Sequence, residues 1–160
     1  MRSRIKFGRL AAFSSALALA FLAGCSSDKN PVAPATNATP IEIRTDAATY
    51  GTAGGFTLES ATITGKILRL KVSYSGGCRT HTFAAAAPPA FMSSYPAQLA
   101  LFIRHDGGDD PCLAIVNETL TFDVSPAISL HGPGPFYLRI VVPGATEYPK
   151  VLVQGSLLPR

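Results

Sequence analysis

The chain of 160 residues has no tryptophan, two methionines, three cysteines and three histidines, and only 15% of its residues are charged. Each scarcity removes something. Without tryptophan there can be no immunoglobulin domain proper, which packs a buried Trp beside its disulfide. There is no Gly-x-Ser-x-Gly elbow, no His-Glu-x-x-His pair and no phosphate-binding glycine loop, so the common hydrolase, metalloprotease and nucleotide signatures are missing. The longest apolar run, near the N-terminus, is about 14 residues, whereas a membrane-spanning helix needs roughly 20. No internal repeat and no amphipathic helix of ordinary length is visible. The residues supply no signature of catalysis, and the expectation is a protein that is not an enzyme.

What is present begins with "MRSRIKFGR", which carries Arg2, Arg4, Lys6 and Arg9 and no acid. "LAAFSSALALAFLA" follows, then Gly24 and Cys25. A basic start, a short apolar run and small residues at a cut site describe an export signal. "LAGC", Leu22 to Cys25, resembles the lipobox of bacterial lipoproteins. That resemblance implies residues 1–24 as a cleaved signal and a lipid on Cys25. A diacylated cysteine carries at least two chains, enough for stable anchoring where one is marginal. Ser26, rather than Asp, follows the cysteine, which in a Gram-negative cell implies the outer membrane. Partners are then the membrane, through the anchor, and a cell-envelope protein or small ligand. No cofactor is implied beyond the lipid.

Export changes two counts. The chain has 14 basic and 10 acidic residues. Removing the four cations of the signal leaves ten of each, so the basic pI belongs to the signal and no basic patch argues for nucleic acid. With Cys25 lipidated, Cys78 and Cys112 remain as an even pair in an oxidising compartment. Their disulfide would close a loop of about 34 residues and contribute about 4 kcal/mol in the chain-entropy account.

Residues 25–40, "CSSDKNPVAPATNATP", read as a lipid-anchored linker: too little apolar surface to order, and enough proline to hold it extended. Residues 41–160 read as one domain. Apolar and polar residues alternate in "KILRLKV", "QLALFIR", "ETLTFDV" and "FYLRIVV", with weaker strands at "IEIRT", "FTLESATIT" and "KVLVQG". Period-two alternation with one apolar face describes antiparallel strands over a single core. Thr64-Gly65 reads as a hairpin turn, and "AAAAPPA" as a strand end and loop. The expected fold is an all-β antiparallel sandwich, immunoglobulin-like and Greek-key in general shape, with a small barrel as the alternative.

Four side chains, Cys78, His81, His105 and Cys112, form a possible tetrahedral zinc set. Against it stand the oxidising compartment, the opposite facing of strand residues three apart, and the wide gap from His105 to Cys112. A blue-copper site fails because no histidine precedes Cys78 and Met92 is distant. Asp106, Asp109 and Asp110 offer carboxylates for calcium without the EF-hand spacing. A Cys78–Cys112 disulfide, with His81 and His105 as polar neighbours near the mouth of the sandwich, is the favoured reading.

"VSYSGGCRTHTF", "LALFIRHDGGDDPC" and "ETLTFDVSP" together resemble a group of uncharacterised bacterial lipoproteins. That group runs Gly-Gly-Cys-x-x-His-x-Phe, then a His-containing acidic loop ending in Cys, then Phe-Asp-Leu-Ser-Pro. Val124 stands where the last motif has Leu. The resemblance covers Val72 to Pro126 and implies export and a shared fold. Its recurring Cys and His keep zinc open as the alternative.

Overall fold

The computed structural model describes residues 37–51 and 54–155. The signal and Cys25 lie outside them. No described helix is long and apolar enough to cross a membrane.

Among the described residues nine strands and two short helices follow one another. They are β1 (Thr39–Pro40), β2 (Glu42–Ile43), α1 (Ala47–Tyr50), β3 (Thr57–Thr64), β4 (Ile67–Gly76), β5 (Thr82–Ala87), β6 (Ala97–Asp106), β7 (Ala114–Asp123), α2 (Ser125–His131), β8 (Gly134–Val141) and β9 (Lys150–Gly155). They make two sheets, ordered β1-β7-β4-β3 and β2-β5-β6-β8-β9. The all-β sandwich expected from the alternation is what forms, and it is not a closed barrel.

The core follows from period two. Leu68, Leu70 and Val72 of β4 are fully buried, as are Leu99, Leu101 and Ile103 of β6 and Phe136, Leu138 and Ile140 of β8. Their neighbours in sequence face out. β3 and β4 form the hairpin expected at Thr64-Gly65, where Gly65 takes a φ of 59° that favours glycine.

The sheets are mixed rather than purely antiparallel. β1 pairs parallel with β7, β2 with β5, and β6 with β8. The first two come from a single segment that changes sheets: Thr39 and Pro40 join one sheet, Ile41 is buried between, and Glu42 and Ile43 join the other. Local alternation cannot reveal such a step. The third arises because the chain leaves β6 for β7 in the opposite sheet and returns through α2. The sheet-switching segment also corrects the linker boundary. Thr39 and Pro40, assigned to the linker by composition, belong to the fold.

Candidate functional site

One end of the sandwich is polar inside. Four strands lead on their inward phase to a polar side chain there. On β4, Leu68, Leu70 and Val72 are followed by Tyr74; on β6, Leu99, Leu101 and Ile103 are followed by His105. Counting back from Ala87, Ala85 and Phe83 on β5 leads to His81. On β7, Phe122 and Leu120 lead back to Glu118.

Two loops close this end. Cys78, between β4 and β5, is disulfide-bonded to Cys112, between β6 and β7. Asp110 lies beneath the bridge. Its Oδ2 accepts the successive backbone N–H groups of Gly77, Cys78 and Arg79 at 3.0, 2.9 and 2.8 Å, and its Oδ1 accepts Cys112 N–H at 2.8 Å. Successive amides turned to one point make an anion-binding nest. Arg79 returns the contact, donating to the Gly108 carbonyl at 2.8 Å.

From Asp110 a chain of hydrogen bonds runs inward. His81 Nε2 lies 3.1 Å from Asp110 Oδ2, His81 Nδ1 lies 2.7 Å from His105 Nε2, and His105 Nδ1 lies 3.1 Å from the Gly55 carbonyl. Both ends of the chain, a carboxylate and a carbonyl, can only accept. Three links therefore need three ring protons, one more than two neutral imidazoles carry. The side chains of His81 and Asp110 are 3% and 2% exposed, so this pair is sequestered from water.

The surroundings act on the two ends of this chain in different ways. Burial is the largest influence on His105 and lowers its pKa; the Gly55 bond opposes this, and His81 lowers it further. Burial alone would raise the Asp110 carboxyl. The N–H groups of Cys112 and Arg79, the His81 ring and Cys78 N–H together outweigh burial and hold it well below the usual carboxylate range. The Tyr74 hydroxyl, pushed up to about 12 by burial and then by Glu118, donates to Glu118 Oε2 at 2.8 Å.

Aromatic faces and glycines hold the two imidazoles. His105 stacks on Phe83 at 4.4 Å between centroids and 8° between planes, and His81 stacks on Tyr74 at 4.5 Å. A Cβ placed on Gly76 would fall on the His81 ring, and one on Gly107 would come within 2.9 Å of it. The glycines of "SGG" and "DGG" thus make room for His81.

A cleft of about 410 Å³ opens here, lined by Gly54, Gly55, Ser75, the 106–110 loop and both histidines. Among the described residues no hydroxyl or thiol is hydrogen-bonded to either ring; Ser75 Oγ donates instead to the Cys112 carbonyl at 3.5 Å. A nucleophile needs such a base beside it.

The sequence-derived candidates fall out unevenly. Cys78, His81, His105 and Cys112 do come together at one end of the fold. The sulfurs are bonded to each other and the imidazoles to each other, so the four do not converge as zinc ligands. Among the described residues Cys78, Asp110 and Cys112 have ligand-type atoms within 4.8 Å of one another, but both sulfurs lie in the disulfide. The three aspartates part company. Asp110 is taken by the nest, Asp106 lies 3.6 Å from Arg104 and accepts Gly108 N–H, and Asp109 sits in the left-handed region at φ 53°. Among the described residues their carboxylates are not gathered within 4.8 Å of one another. Tyr74, Glu118 and Phe83 are the participants that motif reading missed, although their phase in the alternation marks them.

No family model matches the chain, and no curated protein matches it. Among solved structures it is similar to a toxin-related protein from Parabacteroides distasonis, with a TM-score of 0.50 and 18% identity over 74% of this chain and 60% of that one. It is also similar to a NigD-like immunity protein from Bacteroides caccae, with a TM-score of 0.49 and 15% identity over 74% of this chain and 59% of that one. In both comparisons the chain spans less than two thirds of the matched protein. At these identities the likeness is one of fold alone.

Proposed function

We propose that this chain is a lipid-anchored, extracytoplasmic β-sandwich with a binding or structural role in the cell envelope, and that it is not a catalyst. The observation that carries this is the closed state of the polar cluster. Asp110, His81, His105, Cys78 and Cys112 are committed to one another and to backbone groups, which is the arrangement of a lock between two loops. The disulfide fits an oxidising, extracytoplasmic environment. The lipobox-like "LAGC" supports anchoring through Cys25, and Ser26 supports the outer membrane of a Gram-negative cell. An envelope protein or a small ligand is the partner in this reading.

Replacing Cys25→Ser tests the anchor. The variant should leave the membrane fraction, and unchanged fractionation would sink the lipoprotein reading. A zinc-binding lipoprotein using Cys78, His81, His105 and Cys112 is the second reading; it requires the two cysteines as free thiols. Intact mass of the exported chain under non-reducing conditions separates the two. A mass two hydrogens short supports the bridge; free thiols with stoichiometric zinc support the metal.

A further inference from the structure

We infer an oxyanion-binding site on the outer face of the five-stranded sheet, built from Arg139 and Lys150 and separate from the histidine cluster. Arg139 lies on the outward phase of β8, between the buried Leu138 and Ile140. Register puts Lys150 of β9 directly opposite it and Ala100 of β6 on its other side. Side chains directly opposite in an antiparallel pair stand about 5 Å apart at Cβ, and like charges placed so repel. No carboxylate among the described residues is paired with either cation. Neither cation forms an ion pair there, whereas the other arginines near this face are matched: Arg44 by Glu42 and Asp46, Arg104 by Asp106.

Arg139 is also held in place. Its guanidinium carbon stands 4.9 Å from the centre of the Tyr148 ring, a cation–π contact that restrains the side chain. Its Nε is buried and has no hydrogen-bond partner. A buried donor without an acceptor is costly and rare. Here it belongs to a preset guanidinium facing a second cation across a row whose third member is only a methyl group. The group that complements the two facing cations is an oxyanion, the carboxylate or phosphate of a ligand. It would accept from the guanidinium fork on one side and the ammonium on the other.

The test is a titration of the full chain, 15N-labelled, with sodium phosphate and separately with sodium acetate, holding ionic strength constant with sodium chloride. The Arg139 Nε–H resonance is followed. It should shift saturably with at least one of the two anions, and whichever binds tighter identifies the phosphate or the carboxylate class. Lys150→Gln, an exposed change that leaves Arg139 and Tyr148 intact, should weaken binding about tenfold, the loss of one charge-assisted hydrogen bond. Lys71→Gln, an exposed cation on the other sheet, should leave it unchanged. A resonance that fails to saturate with either anion overturns the site. So does equal weakening by Lys150→Gln and Lys71→Gln, which would reduce the effect to general surface charge.

Discussion

At the scale of single residues, two glycines and two titratable groups define the polar end. Gly76 and Gly107 both face the His81 ring, so Gly76→Ala should destabilise the fold by about 1–3 kcal/mol, the usual cost of forcing atoms into a filled space. Gly55 has open space around the same construction, and Gly55→Ala should be far milder. Denaturant unfolding midpoints check the contrast, and equal losses would mean the His81 cage is not tight. The pH response follows from His105 and Asp110. His105 has its folded pKa below the ordinary value of about 6.5, so its contribution is present above that value and falls away as pH drops through the folded pKa. Asp110, held below about 3.9, loses its contribution in the same direction at lower pH. Acid therefore weakens the fold in two steps. The midpoint should begin to fall as pH drops below about 6.5 and fall again below about 3.9, with the first fall reduced in His105→Gln and the second in Asp110→Asn.

At the scale of elements, the loops at this end depend on each other. The disulfide spans 34 residues, and removing it with Cys78→Ser and Cys112→Ser together should cost about 4 kcal/mol through the freedom returned to the unfolded chain. The Asp110 nest would then be the remaining tie between the loops, so hydrogen exchange at Gly77, Cys78 and Arg79 should report its loosening directly. Slow exchange there in the double serine variant would show that Asp110 suffices alone. Within the strands, Leu70→Ala on the buried phase of β4 should cost about 2–5 kcal/mol, while Arg69→Ala beside it should stay within about 0.5 kcal/mol. Alternation made the principal strands legible. It also held the site in plain order, since Tyr74, His81, His105 and Glu118 each occupy the inward position of an apolar series. Motif spacing hid them, because it treats a histidine as a possible ligand before asking which face it is on.

At the scale of the whole molecule, the two sheets are joined at one side by the segment 39–43, whose halves pair with different sheets. A chain begun at residue 41 loses β1 and leaves Ile41 uncovered at its start. It should melt below one begun at residue 35, as measured by circular dichroism, and equal melting would return Thr39 and Pro40 to the linker. Composition misplaced that boundary because a two-residue strand contributes no period to read. The pairing of β6 with β8 is hidden for a related reason: parallel neighbours here are separated by an excursion through the other sheet.

The sequence by itself determined the all-β class, the principal strands, the buried face of each and the even pair of cysteines left once Cys25 is set aside. These depend on local order, on period two and on counting, which a linear chain displays. Only the tertiary structure decided that β1 and β2 stitch two sheets together, that Asp110 belongs to a backbone nest rather than an acidic loop, and that His81 and His105 bond to each other. It alone set Arg139 against Lys150 with no acid between them. Each of these depends on groups far apart in the chain meeting within about 3–5 Å, and register across strands, which no local pattern encodes, decides which groups meet.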